Sequence, residues 1–244
     1  MLKENISNYL FLDIETVPQY QDFDLVPEHF KILWDKKTKY QRKENESPED
    51  FYGKAGIWAE FGKIVCISCG IIDRTNKLRI KSFFGDDEKR LLADFSAMLS
   101  KLPSIPGKSP KLCAHNGKEF DFPFIARRIL INSMPLPPTL DARGLKPWEI
   151  PFVDTMELWK FGDYKHYCSL ELLAAVFGIP SPKDDIDGSM VAKVYYEDKD
   201  IQRIAVYCEK DVVTLAELFL AMYGMPRFAE VVGTTEVVGT TNEA

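Results

Sequence analysis

The sequence predicts an α/β protein, one mixed sheet flanked by helices within a single domain. Two observations carry this. Apolar runs such as Tyr9-Leu-Phe-Leu12 and Ile64-Val-Cys-Ile67 have the length and the branched or aromatic content of strands buried on both faces. The elements then follow in the order βββαβα, then β and further helices, with no linker-like break. One domain over residues 1–226 is the expectation, with 227–244 as a flexible tail.

The first strand is Tyr9 to Thr16. Residues 17–62 are charged and aromatic, with Lys36-Lys37 and Arg42-Lys43-Glu44, and are expected as short helices and loops inserted after it. This insertion reads either as a basic, aromatic wall for a nucleic-acid strand or as a covering flap. Gly62 to Ile72 is a second buried strand, Asp73 to Lys77 a turn, and Leu78 to Phe84 a third strand, forming an antiparallel meander.

Asp86 to Leu102 is amphipathic: Leu91, Leu92, Phe95, Met98, Leu99 and Leu102 share one face. Asp86, Asp87 and Glu88 suit the positive end of that helix. Pro103, Pro106 and Gly107 end it. Lys111 to His115 is a short fourth strand, and Asn116-Gly117 turns into a helix from Glu119 to Ile131. Pro123 is tolerated in its first turn. A proline-rich loop runs from 132 to 151, and Phe152 to Asp154 is an edge strand.

Ser169 caps a helix through Phe177 that ends at Gly178 and Pro180. Ser189 to Tyr196 is a shorter helix. Asp200 to Tyr223 is a long one, closed by Gly224, with Ile204, Cys208, Val212, Leu215 and Phe219 along one side. The tail repeats Glu-Val-Val-Gly-Thr-Thr at 230–235 and 236–241. Two copies of six residues do not make a solenoid.

Composition excludes several classes. A hydrophobic content of 45% with 12% aromatics is ample for a core, so disorder is not the default. No apolar run reaches membrane-spanning length and the start lacks a signal-peptide layout, so an intracellular, cytoplasmic protein is expected. Cys66 and Cys69 form a C-x-x-C within a strand, where they face opposite ways, so the five cysteines read as buried free thiols. The net charge of −6 argues against a broad basic face for duplex nucleic acid, but not against a narrow groove for a single strand end.

The chemistry gathers at the first strand. Asp13 and Glu15, two apart, project to one side. Two adjacent carboxylates repel unless a cation sits between them or one stays protonated. The alternative is a strand running out into a polar loop. Asp121 lies at a strand-to-helix junction, where an acid also serves simply to favour the helix N-terminus. Tyr207 and Asp211, four apart, share a helix face. There Asp211 reads alone as a solvated helix acid.

Phe11-Leu-Asp-Ile-Glu-Thr16, His115-Asn-Gly-Lys-Glu-Phe-Asp121 and Tyr207-Cys-Glu-Lys-Asp211 resemble, in order, the three exonuclease motifs of the DEDD superfamily. Tyr207 four before Asp211 is similar to the DEDDy branch; the histidine branch needs a histidine where Val206 stands. Leu170 to Gly178 also resembles a helix of the family B polymerase proofreading domains, and of the stand-alone bacterial proteins similar to them. The resemblance spans about residues 8 to 224.

It implies a ribonuclease-H-like fold with a five-stranded mixed sheet ordered 3-2-1-4-5. It further implies a metal-dependent 3′–5′ exonuclease that releases nucleoside 5′-monophosphates from single-stranded DNA. Asp13, Glu15, Asp121 and Asp211 would hold two Mg²⁺ or Mn²⁺ ions, hard cations suited to oxygen donors. Asp13 is expected to bridge both, Glu15 and Asp211 to hold the water-activating ion, and Asp121 the other. Tyr207 would position the attacking water. Leu12, Thr16, Asn116 and Phe120 are the expected substrate contacts, Phe120 by stacking or wedging, and Asp154 is a further acid near the site. The alternatives are an RNA-trimming exonuclease of the same chemistry and a non-catalytic nucleic-acid-binding module. A polymerase or repair partner is left unnamed.

Overall fold

The computed structural model describes residues 5–102, 110–163, 167–180 and 186–233. Its centre is β1 (Tyr9–Pro18), which pairs antiparallel with β2 (Gly62–Ile72), itself antiparallel to β3 (Lys77–Phe84). On its other side β1 runs parallel to β4 (Lys111–Ala114), and β4 parallel to β5 (Val153–Asp154). This is the order 3-2-1-4-5. A sixth strand, β6 (Glu230–Val232), adds to β3 in parallel. These three residues were expected in the flexible tail. Their β-branched pair covers an edge that would otherwise present unpaired backbone groups.

The alternation of β1 divides the core. Leu10, Leu12 and Ile14 face α2 (Glu88–Lys101) and α3 (Asp121–Ile131), packing with Leu92, Phe95, Phe122 and Ile125. Tyr9 and Phe11 face α7 (Ile201–Met222), where both rings meet Phe219, at 4.9 and 5.4 Å between centroids. Asp13 and Glu15 continue this second, odd-numbered face, the one that α7 crosses. Helix caps follow the sequence: Asp87, Ser169 and Asp200 each accept an N–H of the first turn of α2, α5 (Leu170–Val176) and α7.

Some elements depart from expectation. A helix, α4 (Thr155–Lys160), follows β5 directly. The segment from Ser189 narrows to α6 (Val191–Lys193), which runs into a π-helix, Val194–Asp198. The C-terminal half of α7 is buried all round, since α4 and α5 pack on the side away from the sheet. Pro103, Pro106, Gly107 and the tail from residue 234 onward, with its second repeat copy, lie outside the described residues.

The insertion after β1 carries α1 (Glu28–Thr38) and a core of its own. Trp34, Phe51, Tyr52 and Phe61 are buried among one another, and the Trp34 indole donates to the Pro48 carbonyl at 2.7 Å. These four rings build the insertion's own core, while Phe30 and Tyr40 stay exposed on it. Its backbone seats closely on β1: a Cβ on Gly56 would lie 3.1 Å from the Val17 carbonyl carbon.

One buried ion pair ties the other layer together. The Arg128 guanidinium on α3 donates to Glu88 on α2 and, at 2.8 Å, to the Ala59 carbonyl. Glu88 also accepts the Ile64 N–H of β2 at 2.8 Å. Four segments meet at this one pair.

Candidate active site

Asp13 and Glu15 sit on β1 opposite Ser68 and Cys66 of β2, and the register shifts immediately afterwards, between Glu15 and Thr16. The irregularity interrupts the ladder directly after the carboxylates, before pairing resumes at Thr16 with Ile64. Glu15 and Asp121 are buried, whereas Asp13, Tyr207 and Asp211 are half-buried. Asp121 opens α3 and its carboxylate accepts the N–H of Ile14, between the two acids of β1. Tyr207 and Asp211 come from α7, where the tyrosine hydroxyl hydrogen-bonds Asp211. The three motifs, far apart in sequence, thus meet at one place.

The electrostatics report the same convergence. Burial, then the charges of Asp211, Glu15 and Asp121, holds the Asp13 carboxyl well above the usual carboxylate range. Glu15 is raised in the same way by burial and by Asp211, Cys66 and Asp121. Asp121 is pushed up to about 7 by burial, with Asp154 and Asp211 adding to it. The Tyr207 hydroxyl is held protonated by burial and by Asp211, Glu15 and Asp13. Asp13, Glu15 and Asp121, raised by burial and by neighbouring charge that in each case includes Asp211, form a site that a cation would relieve.

The sequence reading did not single out Cys208. Its thiol donates to the backbone carbonyl and the Oδ2 of Asp13, both at 3.4 Å. Ligand atoms of Asp13, Glu15 and Cys208 all lie within 4.8 Å of one another. Burial keeps this thiol protonated, so it serves Asp13 as a hydrogen-bond donor, and the ionised donors of the site are hard oxygens. That set fits Mg²⁺ or Mn²⁺. The signal was available: Cys208 stands three before Asp211 on the helix face that carries Val212 to the sheet.

The turn before Asp121 is rigidly specified. Asn116 has φ of 59°, and a Cβ on Gly117 would lie 2.3 Å from the Ala114 Cβ, so only glycine fits there. Asp154 faces the turn, accepting the N–H groups of Asn116 and Lys118 at 3.0 Å each and that of Met156 at 2.9 Å. It fastens the site from behind. His115 bonds the Thr155 hydroxyl and the Cys168 carbonyl, each at 2.8 Å, and its burial favours the neutral ring.

The expected substrate contacts fare differently. Leu12 is fully buried in the sheet core, so its side chain has no face for a ligand; in a strand covered on both sides the residue before Asp13 points inward. The Thr16 hydroxyl is committed to the Gly56 carbonyl at 2.8 Å and pins the insertion to β1. Phe120 is half-buried, with its ring 5.4 Å from that of Phe124. The Asn116 Oδ1 is enclosed without a hydrogen-bond partner in the chain.

Residues 57–230 match a protein family described as a predicted 3′–5′ exonuclease related to the exonuclease domain of PolB. The matched span contains Asp121, Tyr207 and Asp211, and Asp13 and Glu15 precede it. No curated protein matches the sequence. The fold is similar to that of the family B DNA polymerase from the hyperthermophilic archaeon Pyrobaculum calidifontis, with a TM-score of 0.51 and 16% identity. The similarity covers 87% of this chain but 24% of the polymerase, so the chain spans about a quarter of that protein's length.

Proposed function

The chain belongs to the family of predicted 3′–5′ exonucleases related to the exonuclease domain of PolB, and from there we propose that it trims single-stranded DNA from its 3′ end by metal-dependent hydrolysis. The observation that supports this reading is the convergence of Asp13, Glu15 and Asp121 with Asp211, whose charge raises the proton affinity of the other three. In this reading the four carboxylates hold Mg²⁺ or Mn²⁺. Two such ions would lower the pKa of the attacking water and stabilise charge on the leaving 3′-oxygen.

The protein's own residues do the rest. Asp121, anchored on the Ile14 N–H, keeps its carboxylate beside those of β1. Cys208 fixes the orientation of Asp13 by donating to it. Tyr207 stays protonated beside Asp211 and offers a hydroxyl to the attacking water or the scissile phosphate, the position expected in the DEDDy branch. In this reading Asn116, on the turn that leads into Asp121, would contact the terminal nucleotide. Phosphoryl transfer asks for positioning and charge stabilisation, which these groups supply.

The test uses 5′-labelled single-stranded DNA and RNA of one sequence with Mg²⁺, Mn²⁺ or EDTA, beside Asp13→Ala. A ladder shortening from the 3′ end, dependent on metal and on Asp13, and faster on DNA, is expected. A faster ladder on RNA would move the assignment to the exoribonuclease. No shortening of either strand by folded protein that also fails to bind Mn²⁺ would sink the catalytic reading and leave a binding module.

A further inference from the structure

Strand β6 is held by four consecutive residues, and the sequence carries the same four again. The Glu230 carboxylate pairs with Lys77. Val231 lies opposite Leu78 and packs against the cluster that contains Leu78, Ile80 and Phe219. Val232 lies opposite Arg79. Gly233 has φ of 88°, and a Cβ there would stand 2.6 Å from the Ile80 carbonyl oxygen, so a side chain is both strained and blocked. The β3 edge therefore asks for an acid, two extended β-branched residues and a glycine, in that order. Residues 236–239, Glu-Val-Val-Gly, meet every one of these requirements.

We infer that the outer edge of β3 is a strand-acceptor site for a Glu-Val-Val-Gly segment, and that Glu236 to Gly239 is its reserve occupant within the same chain. The first copy holds the edge in the unaltered protein for a physical reason. The chain enters β6 directly from Ala229, whose N–H is donated to the Asn76 carbonyl at 2.8 Å, while the Asn76 amide donates to the Arg227 carbonyl at 3.2 Å. Seating the second copy with these anchors kept would close a loop of the six displaced residues, 230–235, at an entropic cost. When the first copy cannot pair, that cost is outweighed by the alternative, an edge with unpaired backbone groups above an uncovered Leu78 and Ile80. The duplication then keeps the sheet edge closed.

The experiment follows amide hydrogen exchange of the β3 residues bonded to β6 in the full chain, for Val231→Asp, Val237→Asp and the double variant. Val237→Asp alone is expected to exchange like the unaltered protein. Val231→Asp is expected to retain β3 protection within about threefold, and the double variant to lose it by about tenfold or more. The pair Gly233→Val and Gly233→Val/Gly239→Val repeats the comparison through the backbone clash. Equal loss in single and double variants, or no loss in either, would overturn the inference. So would protection of Val231→Asp that rises with protein concentration, which places the second copy on a neighbouring chain.

Discussion

The Oδ1 of Asp154 accepts the backbone N–H of Asn116 at 3.0 Å, joining the end of β5 to the turn that follows β4. The same carboxylate holds Lys118 and caps α4, so one buried acid fixes both the position of Asp121 and the start of the next helix. Asp154→Ala leaves four N–H groups, those of Asn116, Lys118, Met156 and Glu157, without their partner. A loss of about 2–4 kcal/mol is expected, together with a fall in nuclease activity. Asp154→Asn, which keeps one acceptor oxygen, should lie between. Thermal denaturation beside the exonuclease assay checks this; activity lost with stability intact would instead put Asp154 among the reacting groups.

The Arg128–Glu88 pair is buried on both sides, and both partners hold backbone groups as well. Removing the guanidinium alone leaves a buried carboxylate uncompensated. Arg128→Met is therefore expected to cost about 3–5 kcal/mol, read from urea denaturation, and Glu88→Gln/Arg128→Met distinctly less. A double variant as unstable as the single one would show that the Ala59 carbonyl contact, and not the ion pair, carries the effect.

Residue types made the sheet and the acids legible. The unbroken apolar run of β1 foretold a strand covered on both faces, and the i, i+2 and i, i+4 spacings put Asp13 with Glu15 and Tyr207 with Asp211. What escaped depends on tertiary partners. Cys208 reads as a core thiol until α7 is laid against β1 and its sulfur reaches Asp13. Asp154 reads as one more acid until the turn at Asn116 is folded over it. Strand β6 needs the exposed edge of β3 to become a strand at all, and Leu12 looks like a site residue only while its inward direction is unknown.

Tyr207 gives a prediction that separates placement from folding. Its hydroxyl bonds Asp211, and its ring packs against the core that holds Val17, Ile204 and Cys208, so Tyr207→Phe keeps the ring and removes only the oxygen. The variant should match the unaltered protein in melting temperature within about 2 °C, while turnover falls on the order of 10²-fold. Mn²⁺ binding should persist, because the four carboxylates remain. A variant that loses Mn²⁺ binding along with turnover would make the hydroxyl a support for Asp211 and not a contact to water or phosphate.

The raised carboxyls also set the sign of the pH response in metal-free protein. Burial pushes Asp121 up to about 7 in the folded chain, against about 3.9 for an unfolded aspartate. Between those values the folded state binds more protons than the unfolded one, so stability falls as pH rises through this window. Asp13 and Glu15 are shifted in the same direction and add to the slope. In EDTA the melting temperature should therefore decline from about pH 5 to about pH 8, on the order of 5 °C, and Asp121→Asn should flatten the decline. Mg²⁺ or Mn²⁺ should raise it most at the alkaline end, where the carboxylates are ionised and ready to bind. A metal-free protein that grows more stable over this range would mean that the site already neutralises its own charge.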